Sequence, residues 1–274
     1  MKAKDQNNKL RGNIMNIKIG IAAHKVYRMP SEKSYLPIQV GAHGKDDIGY
    51  TRDDIGDNIS EKNPYYCELT GLYWMWKNLD VDYCGLVHYR RYFARKRFFR
   101  FDKDKFKYIL TDSDLKNILS NHDIILPQRR RYYIESLYSH YAHTHYAEHL
   151  DVTREILRER CPDYVDAYDN VIKKTSGHMF NMMIMKKNIM DSYCEWLFPI
   201  LSELEKKIDS SGYSTFQARY YGRVSEILIN VWIEKNKYKY YTCPTVNIEK
   251  LDWNRKIKSF INAKFRGIKY DSSF

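Results

Sequence analysis

The chain lacks the sequence features by which several common protein classes are recognised. Its five cysteines form no Cys-x-x-Cys pair, so the sequence indicates neither a disulfide framework nor a paired-thiolate zinc site. No apolar run approaches the roughly 18 residues of a membrane-spanning helix. Residues 1–14 are polar and lack the apolar centre of an export signal. These absences predict a protein of a reducing, cytoplasmic compartment, with residues 1–14 as a disordered lead.

Motifs of several large enzyme classes are also missing. The sequence contains no Gly-x-Gly-x-x-Gly, no P-loop, no His-Glu-x-x-His and no ordered Ser-His-Asp set, which argues against dinucleotide-binding enzymes, kinases and hydrolases. Asp-x-Asp pairs hold a divalent cation on nucleotide sugars in many transferases. The pair at Asp80–Asp82 precedes its strand and is interpreted as a turn, and another lies within Thr111–Leu115. Because Asp and Ser at a helix start usually cap free backbone amides, we interpret this segment as a helix cap.

Positive charge, in contrast, is in excess. Lys and Arg number 46 against 34 Asp and Glu, which gives a net charge of +12 and predicts an anionic partner such as nucleic acid, phospholipid headgroups or a phosphorylated substrate. Residues 251–274 combine basic side chains with apolar positions at helical spacing. We expect this C-terminal segment to be an amphipathic helix that either binds an anionic membrane surface or packs on the domain.

Tyrosine and histidine are abundant. The 25 tyrosines suit wet grooves lined by rings, although biased codon usage is an alternative cause. Four histidines lie close together in a basic, aromatic segment, namely His140, His143, His145 and His149. Their spacing matches no zinc motif, so a polar groove wall is the preferred interpretation.

Apolar segments with strand and helix spacing alternate along residues 15–250. Ile17–His24 and Tyr83–His88 are predicted as buried strands, and the apolar positions of Tyr65–Leu79 have the spacing of an amphipathic helix. Further helices are predicted over residues 188–208 and 222–236. This alternation predicts a single α/β domain with a mostly parallel central sheet.

Tyr83–Phe93, YCGLVHYRRYF, begins as a buried strand and ends in a cluster of rings and cations. Side-chain alternation places His88 and Arg90 on one face, with Tyr89 and Arg91 on the other. Two arginines at a strand end can grip a diphosphate, and the alternative is a surface cluster that stacks on tyrosines. We favour the anion site, because placing charged groups on an apolar strand costs desolvation free energy unless they bind a counter-charge.

Other polar residues stand where ligands commonly bind. His24 and Lys25 follow the first strand, at the sheet edge where open α/β proteins hold ligands. Glu226, placed by the sequence near a helix start, suits a general base for an acceptor hydroxyl or a partner of the helix dipole. His178 and Asn181 flank an apolar strand, and His178 suits a base, a sugar ligand or a core histidine.

Three segments together resemble a known family. They are Asn63–Phe93, containing ELTGLYWMWKN and GLVHYRRYF, then HMFNMMIMKKNIMDSYCEWLFPIL and GRVSEILINVWIEKN. The sequence is similar over Ile17–Ile248 to the bacterial capsular and exopolysaccharide glycosyltransferase family formerly catalogued as a domain of unknown function. Family members often carry Arg after the Glu of the late helix, whereas this chain has Ile227. If that Arg supports the base or the phosphate in the family, the resemblance implies that Arg223 or another residue has this role here.

The resemblance implies a GT-A-like fold and the transfer of a hexosyl group, galactofuranosyl or galactosyl, from a UDP-sugar to a lipid-linked glycan. It also implies a location at the inner face of the plasma membrane. Glu226 and His178 would be catalytic, and His178, Asn181 and Arg223 would face sugar and acceptor. The residues expected at the donor and its phosphates are His24, Lys25, Asp57, Asn58, Lys62, His88, Tyr89, Arg90 and Arg91.

A metal requirement is in doubt under this resemblance. His-Tyr-Arg-Arg stands where other GT-A enzymes place Asp-x-Asp, so the arginines would take over the electrostatic role of Mn²⁺ or Mg²⁺. His88 as a lone metal ligand is the alternative. Two other classes compete with the enzyme. One is a nucleic-acid-binding protein with a basic Tyr/Arg surface, although no nucleic-acid motif is present and we expect no nucleic-acid partner. The other is a sugar-binding scaffold without catalysis.

Overall fold

The computed structural model describes residues 15–95, 103–249, 260, 262–264, 266–267 and 269–271. Nine of its strands form one sheet, and β7 and β8 form a separate pair. The strands are β1 Ile17–Ala23, β2 Tyr35–Gln39, β3 Thr51–Arg52, β4 Tyr83–His88, β5 Arg91–Phe93, β6 Ile124–Pro127, β7 Arg130–Arg131, β8 Ser176–Gly177, β9 Met183–Lys186, β10 Tyr241–Cys243 and β11 Thr245–Asn247. The α-helices are α1 Asn63–Tyr66, α2 Leu69–Asn78, α3 Asp112–Leu119, α4 Leu137–Thr144, α5 Glu148–Arg160, α6 Val165–Ile172, α7 Lys187–Lys207 and α8 Tyr220–Asn236.

The main path of the sheet has the strand order β10-β6-β9-β4-β1-β2-β3. Six of these seven strands point the same way, and only β9 runs antiparallel to its neighbours β4 and β6. The predicted α/β fold with a mostly parallel sheet is therefore confirmed. From β1 the chain continues to β2 and β3 on one side of β1, and it then returns to β4 on the other side. This reversal opens a crevice beyond the carboxyl ends of β1 and β4, where α/β sheets commonly bind ligands.

Two apolar layers cover the sheet. Helices α2, α7 and α8 pack on one face through residues such as Leu72, Leu197 and Val224. Residues of β1 alternate onto the other face, where Ile19 and Ile21 meet the start of the long connection between β5 and β6. The side chains of the core are close-packed, so the carboxyl edge of the sheet is held rigidly.

The predicted helix over Tyr65–Leu79 is wrong as a continuous element. The structure divides it into α1 and α2, because Cys67 adopts φ 55° and ψ −130°, which no α-helix accommodates. The break places Glu68 at the first position before α2. Helices α7 and α8 lie close to the predicted bounds 188–208 and 222–236. Thr111 and Asp114 form a capping box at the start of α3, in which each side chain accepts a hydrogen bond from the backbone amide of the other residue, as the cap interpretation predicted.

The expected lead, residues 1–14, lies outside the described residues, as does most of the C-terminal segment 251–274. The described part of that segment packs on α4. Phe260 stacks on His140 with ring centroids 5.9 Å apart, and the Tyr270 amide donates to Thr144 O at 3.2 Å. These contacts join the described residues of the segment to α4, and the expected membrane-binding role of the segment stays a prediction. Among the described helices, none has the length and apolar character that crossing a bilayer requires.

A buried carboxylate organises the long connection that follows β2. Asp53 is fully buried and accepts hydrogen bonds from the amides of Gly41 and Ala42 at 2.8 and 2.9 Å. The hydroxyls of Thr70, at 2.7 Å, and Ser60 also donate to it. Because Thr70 belongs to α2, this carboxylate ties the connection to the helix that carries Glu68.

Replacing this carboxylate should destabilise the fold. In Asp53→Ala several buried donors lose their acceptor, so we expect the free energy of unfolding to fall by about 3 kcal/mol or more. The matched control is Asp54→Ala, which removes only a partly exposed ion pair with Arg52 and should cost about 1 kcal/mol or less. Urea unfolding of both variants measures this, and equal losses would contradict the anchoring role.

Candidate active site

A cavity of about 470 Å³ opens beyond the carboxyl end of β4. Its walls come from separate parts of the chain: the end of β4, the segments that follow β6 and precede β9, and helices α4 and α8. The site therefore depends on the whole sheet, and it lies at the strand-order reversal described above. The aromatic side chains that line it are Tyr132, Tyr141, Phe180, Phe216 and Tyr270.

The cluster at the end of β4 is a tight hairpin rather than a continuing strand. His88 pairs with Arg91 across an antiparallel bridge, and Tyr89 and Arg90 form the turn between them. The predicted alternation of faces is therefore wrong, because the backbone reverses after His88. As a result His88, Arg90 and Arg91 all line the cavity. Tyr89 instead stacks on Tyr27, with ring centroids 3.9 Å apart.

Arginines dominate the charge of the cavity. Its lining includes Arg90, Arg91, Arg130, Arg219 and Arg223, and within the described ranges none of the five forms an ion pair with a carboxylate at 4.0 Å or less. Burial, and then the neighbouring charges of Arg90 and Arg130, lower the pKa of Arg91 to about 10. Such an excess of fixed positive charge suits a multiply charged anion.

These cations are held by neutral partners. The guanidinium of Arg91 lies 3.7 Å from the centroid of the Phe180 ring and donates to Asn247 Oδ1 at 2.7 Å. Arg223 lies over the Phe216 ring at 4.1 Å. Rings and amide oxygens orient the guanidinium groups without neutralising them, so their charge remains available to a ligand.

Two carboxylates face the arginines. Glu226 lies in the second turn of α8, which begins at Tyr220, so its predicted place at the helix start is wrong and a first-turn dipole role does not apply. Burial, and secondly the charge of Glu68, raise the pKa of Glu226 to about 7, against the opposing effects of the Phe180 amide and of Arg130 and Arg91. A carboxyl group with a pKa near neutrality can act as a general acid or base.

Glu68 was not singled out by the sequence, although it is the Glu of the ELT motif. Asn181 Nδ2 donates to Glu68 Oε1 at 2.7 Å and to Gly222 O at 2.8 Å. His88 Nε2 lies 3.8 Å from the same carboxylate. The motif itself was a signal that could have identified Glu68. A charged residue directly before a buried helical segment indicates a specific binding or catalytic interaction.

The backbone that supports Glu68 is strained. Phe180 and Asn181 have φ values of 80° and 48°, in the left-handed region that most residues avoid. Phe180 O lies 3.0 Å from His88 Nε2. This unusual backbone therefore brings a carbonyl, an amide side chain and a carboxylate to one point, a pattern that is common at functional sites.

The other predicted acceptor residues have different surroundings. His178 is buried and does not line the cavity; its Nδ1 lies 2.6 Å from Pro127 O and its Nε2 accepts from Arg129 Nε at 3.4 Å. Burial lowers its pKa to about 4. It is thus a hydrogen-bonded core histidine, which was the third interpretation of its role. Asn181 is also buried and acts on the site through Glu68, whereas Arg223 lines the cavity directly.

Three of the predicted donor residues lie away from the cavity lining. Asp57 accepts a hydrogen bond from Tyr73 at 3.1 Å, Asn58 donates to Gly56 O at 2.8 Å, and Lys62 pairs with Glu205 at 2.8 Å. These contacts organise the loop before α1. The structure does not bring these three side chains to His88 and the arginines.

His24 and Lys25 follow β1 and are exposed near the hairpin. The ring of His24 meets that of Tyr89 edge-on, with centroids 5.3 Å apart. Partial desolvation of its ring, and then the charge of Lys25, lower the pKa of His24. Contact of these two residues with a donor stays a prediction.

A metal ion finds no ligand set among the residues that the structure describes, which contain no group of three or more His, Cys, Asp or Glu side chains able to hold one. His88 Nε2 lies beside the Glu68 carboxylate and the Phe180 carbonyl, and its role as a metal ligand stays a prediction. The four neighbouring histidines bond to protein groups, for example His145 to Gln217 at 2.9 Å. His140 and His145 line the cavity as part of its wall.

The cavity and fold define an α/β protein with a cationic, carboxylate-containing site at the strand-order reversal. The chain belongs to the family described as Domain of unknown function (DUF4422), which matches residues 18–237. None of the curated proteins compared with it matches. The chain is similar to the apo structure of the WbbM bifunctional glycosyltransferase, with a TM-score of 0.79 and 30% identity over 86% of this chain and 46% of that one. It therefore spans just under half the length of that protein, and the predicted glycosyltransferase-like α/β fold is confirmed.

The raised pKa of Glu226 predicts an unusual pH dependence of stability. The folded protein binds a proton as the pH falls through about 7, whereas an unfolded Glu does so near 4.5. The wild type should therefore lose stability, relative to Glu226→Gln, as the pH rises from 4.5 to 7. We expect the difference to reach about 3 kcal/mol and then to level off.

Denaturant unfolding of both proteins across this pH range measures the effect. The control is Glu203→Gln. Because Lys206 lowers the pKa of Glu203, its contribution to stability changes with the opposite sign and mainly below about pH 4.5, so this variant should follow the wild type across the range tested. A stability difference between wild type and Glu226→Gln that does not change with pH would contradict the buried environment of Glu226 beside Glu68.

Proposed function

We propose that this chain is a glycosyltransferase that moves a hexosyl group from a UDP-sugar to a lipid-linked glycan. Galactofuranose or galactose is the proposed sugar, and synthesis of capsule, exopolysaccharide or O-antigen is the proposed process. The observation that carries the proposal is one cavity that combines unpaired arginines with a pair of carboxylates. The similarity to WbbM, a bifunctional glycosyltransferase, supports the class of reaction.

The arginines are assigned to the diphosphate of the donor. Arg90 and Arg91 from the hairpin, with Arg130 from β7, present guanidinium groups to one space. When the bond between the anomeric carbon and the diphosphate breaks, negative charge grows on the leaving phosphate oxygen. Fixed cations in a partly dry cavity stabilise that charge more than water does, because they need no reorganisation.

Glu226 is assigned as the general base. The acceptor hydroxyl oxygen forms the new bond to the anomeric carbon, and its proton passes to a carboxylate as the diphosphate leaves. A pKa near 7 keeps Glu226 able to accept a proton at neutral pH and binds it more firmly than an ordinary carboxylate would. Glu68 contributes to the raised pKa of Glu226, and Asn181 positions Glu68.

The acceptor and the location complete the proposal. The rings of Tyr132, Tyr141 and Tyr270 line the same cavity as the hairpin, and aromatic faces suit the apolar faces of sugars. A lipid-linked acceptor places the enzyme at the anionic inner surface of the plasma membrane, where a net charge of +12 favours binding.

Removal of one hairpin arginine tests the phosphate role. In Arg90→Ala we expect kcat/KM for the UDP-sugar to fall by roughly 100-fold to 1,000-fold, because one charge-stabilising donor is lost. Arg90→Lys should retain part of the activity, since it keeps the charge without the bidentate geometry. The control is Arg28→Ala, whose exposed side chain bonds to Asp104 outside the cavity. Full turnover by Arg90→Ala would refute the assignment.

Turnover separates the enzyme from a binding scaffold. We expect the full chain to release UDP from UDP-galactofuranose or UDP-galactose when a lipid-linked glycan is supplied, and Glu226→Gln to do so at least about 100-fold more slowly. A thermal-shift screen of nucleotide sugars, with Mn²⁺ and with EDTA, identifies the donor and the metal requirement. Stabilisation by a UDP-sugar without any turnover would instead favour the scaffold.

A further inference from the structure

Two large apolar side chains, those of Tyr133 and Ile134, are exposed to solvent at the edge of the cavity. Among the described residues, Tyr133 and Ile134 are the most exposed of the large hydrophobic side chains, at 79% and 77%. The others that are strongly exposed, Val26, Ile55 and Tyr65, do not adjoin one another in the sequence. Single exposed apolar residues are ordinary, but an adjacent pair at a turn is a candidate interaction surface. We call this pair the Tyr133–Ile134 tip.

The tip is held in place by its flanks. On one side the Tyr132 amide donates to Thr175 O at 2.8 Å, and on the other the Leu137 amide donates to Lys174 O at 2.8 Å. Tyr133 adopts φ 58°, a conformation that bulky residues rarely adopt. The fold therefore presents these two side chains to solvent from an anchored turn, rather than from a free loop.

Positive charge lies beside the tip. Arg129 and Arg131 precede it and are exposed, and Lys173 is exposed on the adjoining turn. Within the described part of the chain, neither arginine has a carboxylate partner at 4.0 Å or less. The neighbouring carboxylate, Glu135, is buried and accepts hydrogen bonds from His140 and His143, so it contributes little negative charge at the surface.

We infer that the Tyr133–Ile134 tip is a membrane-docking element that inserts into the headgroup region of an anionic lipid surface. An aromatic and an aliphatic side chain next to exposed arginines is the combination that suits this region, because the rings and alkyl groups leave water while the guanidinium groups meet phosphates. A flat apolar protein partner would not require this group of cations beside a two-residue tip, so charge complementarity favours lipid.

The position of the tip connects docking to the cavity. Arg130 and Tyr132, which lie directly before it, both line the cavity. A chain docked through the tip therefore turns this edge of the cavity toward the membrane, where the head group of a lipid-linked acceptor is found. That consequence rests on the proposed function, whereas binding of the tip to lipid does not.

Vesicle co-sedimentation of the full chain, without donor or acceptor, tests the inference independently of catalysis. The wild type should sediment with vesicles that contain phosphatidylglycerol. The variant Tyr133→Asn/Ile134→Ser removes both apolar groups, and Asn tolerates the positive φ. We expect its binding to be at least about tenfold weaker. The matched control, Ile55→Ser/Tyr65→Ser, removes the same residue types elsewhere and should bind as the wild type does.

A second, single variant keeps the test informative if the double variant folds poorly. Arg131→Gln should weaken binding to anionic vesicles about fivefold, with no change on vesicles of phosphatidylcholine alone. Unaltered binding by the double variant would overturn the inference and place membrane contact elsewhere in the chain. No binding by the wild type would also overturn it, as would a tip-dependent self-association seen by light scattering without any vesicle binding.

Discussion

The arrangement of the site depends on one side chain, the amide of Asn181. Its Nδ2 group bonds both to the Glu68 carboxylate and to the Gly222 carbonyl, so it joins the approach to β9, the start of α2 and the first turn of α8. These three elements lie far apart in the sequence and carry the two carboxylates of the cavity. If this junction were lost, α2 and α8 would still pack on the sheet, but Glu68 and Glu226 would no longer have a fixed relation.

The junction is compatible with the surrounding fold because the strain is local. Asn tolerates positive φ better than most residues, and the value of 48° lies in the left-handed region that it visits. Phe180, at 80°, is the more costly neighbour, and its ring lies against the Arg91 guanidinium at 3.7 Å. This contact orients the half-buried arginine without neutralising it.

The sequence was informative about elements and less so about the site. Hydrophobic patterning identified β1, β4, α7 and α8 because burial imposes a clear periodicity on such segments. The hairpin after His88 was missed, since a two-residue reversal leaves the local pattern almost unchanged. Glu68 was missed because its role arises from Asn181, more than a hundred positions away. His178 was predicted as a catalytic residue because its hydrogen-bond partner, the Pro127 carbonyl, is a backbone group that no sequence pattern reveals.

The balance of charge explains why carboxylates and arginines share a cavity without pairing. A close Arg–Glu ion pair would fix Glu226 in its ionised form and occupy the guanidinium, which would remove both from chemistry. Here the rings and amide oxygens hold the arginines, while burial and Glu68 raise the pKa of Glu226. A bound anion would offset the opposing influence of Arg91 and Arg130, so the affinity of Glu226 for a proton would rise when the arginines are occupied. Anion binding and proton acceptance are therefore coupled through the same few side chains.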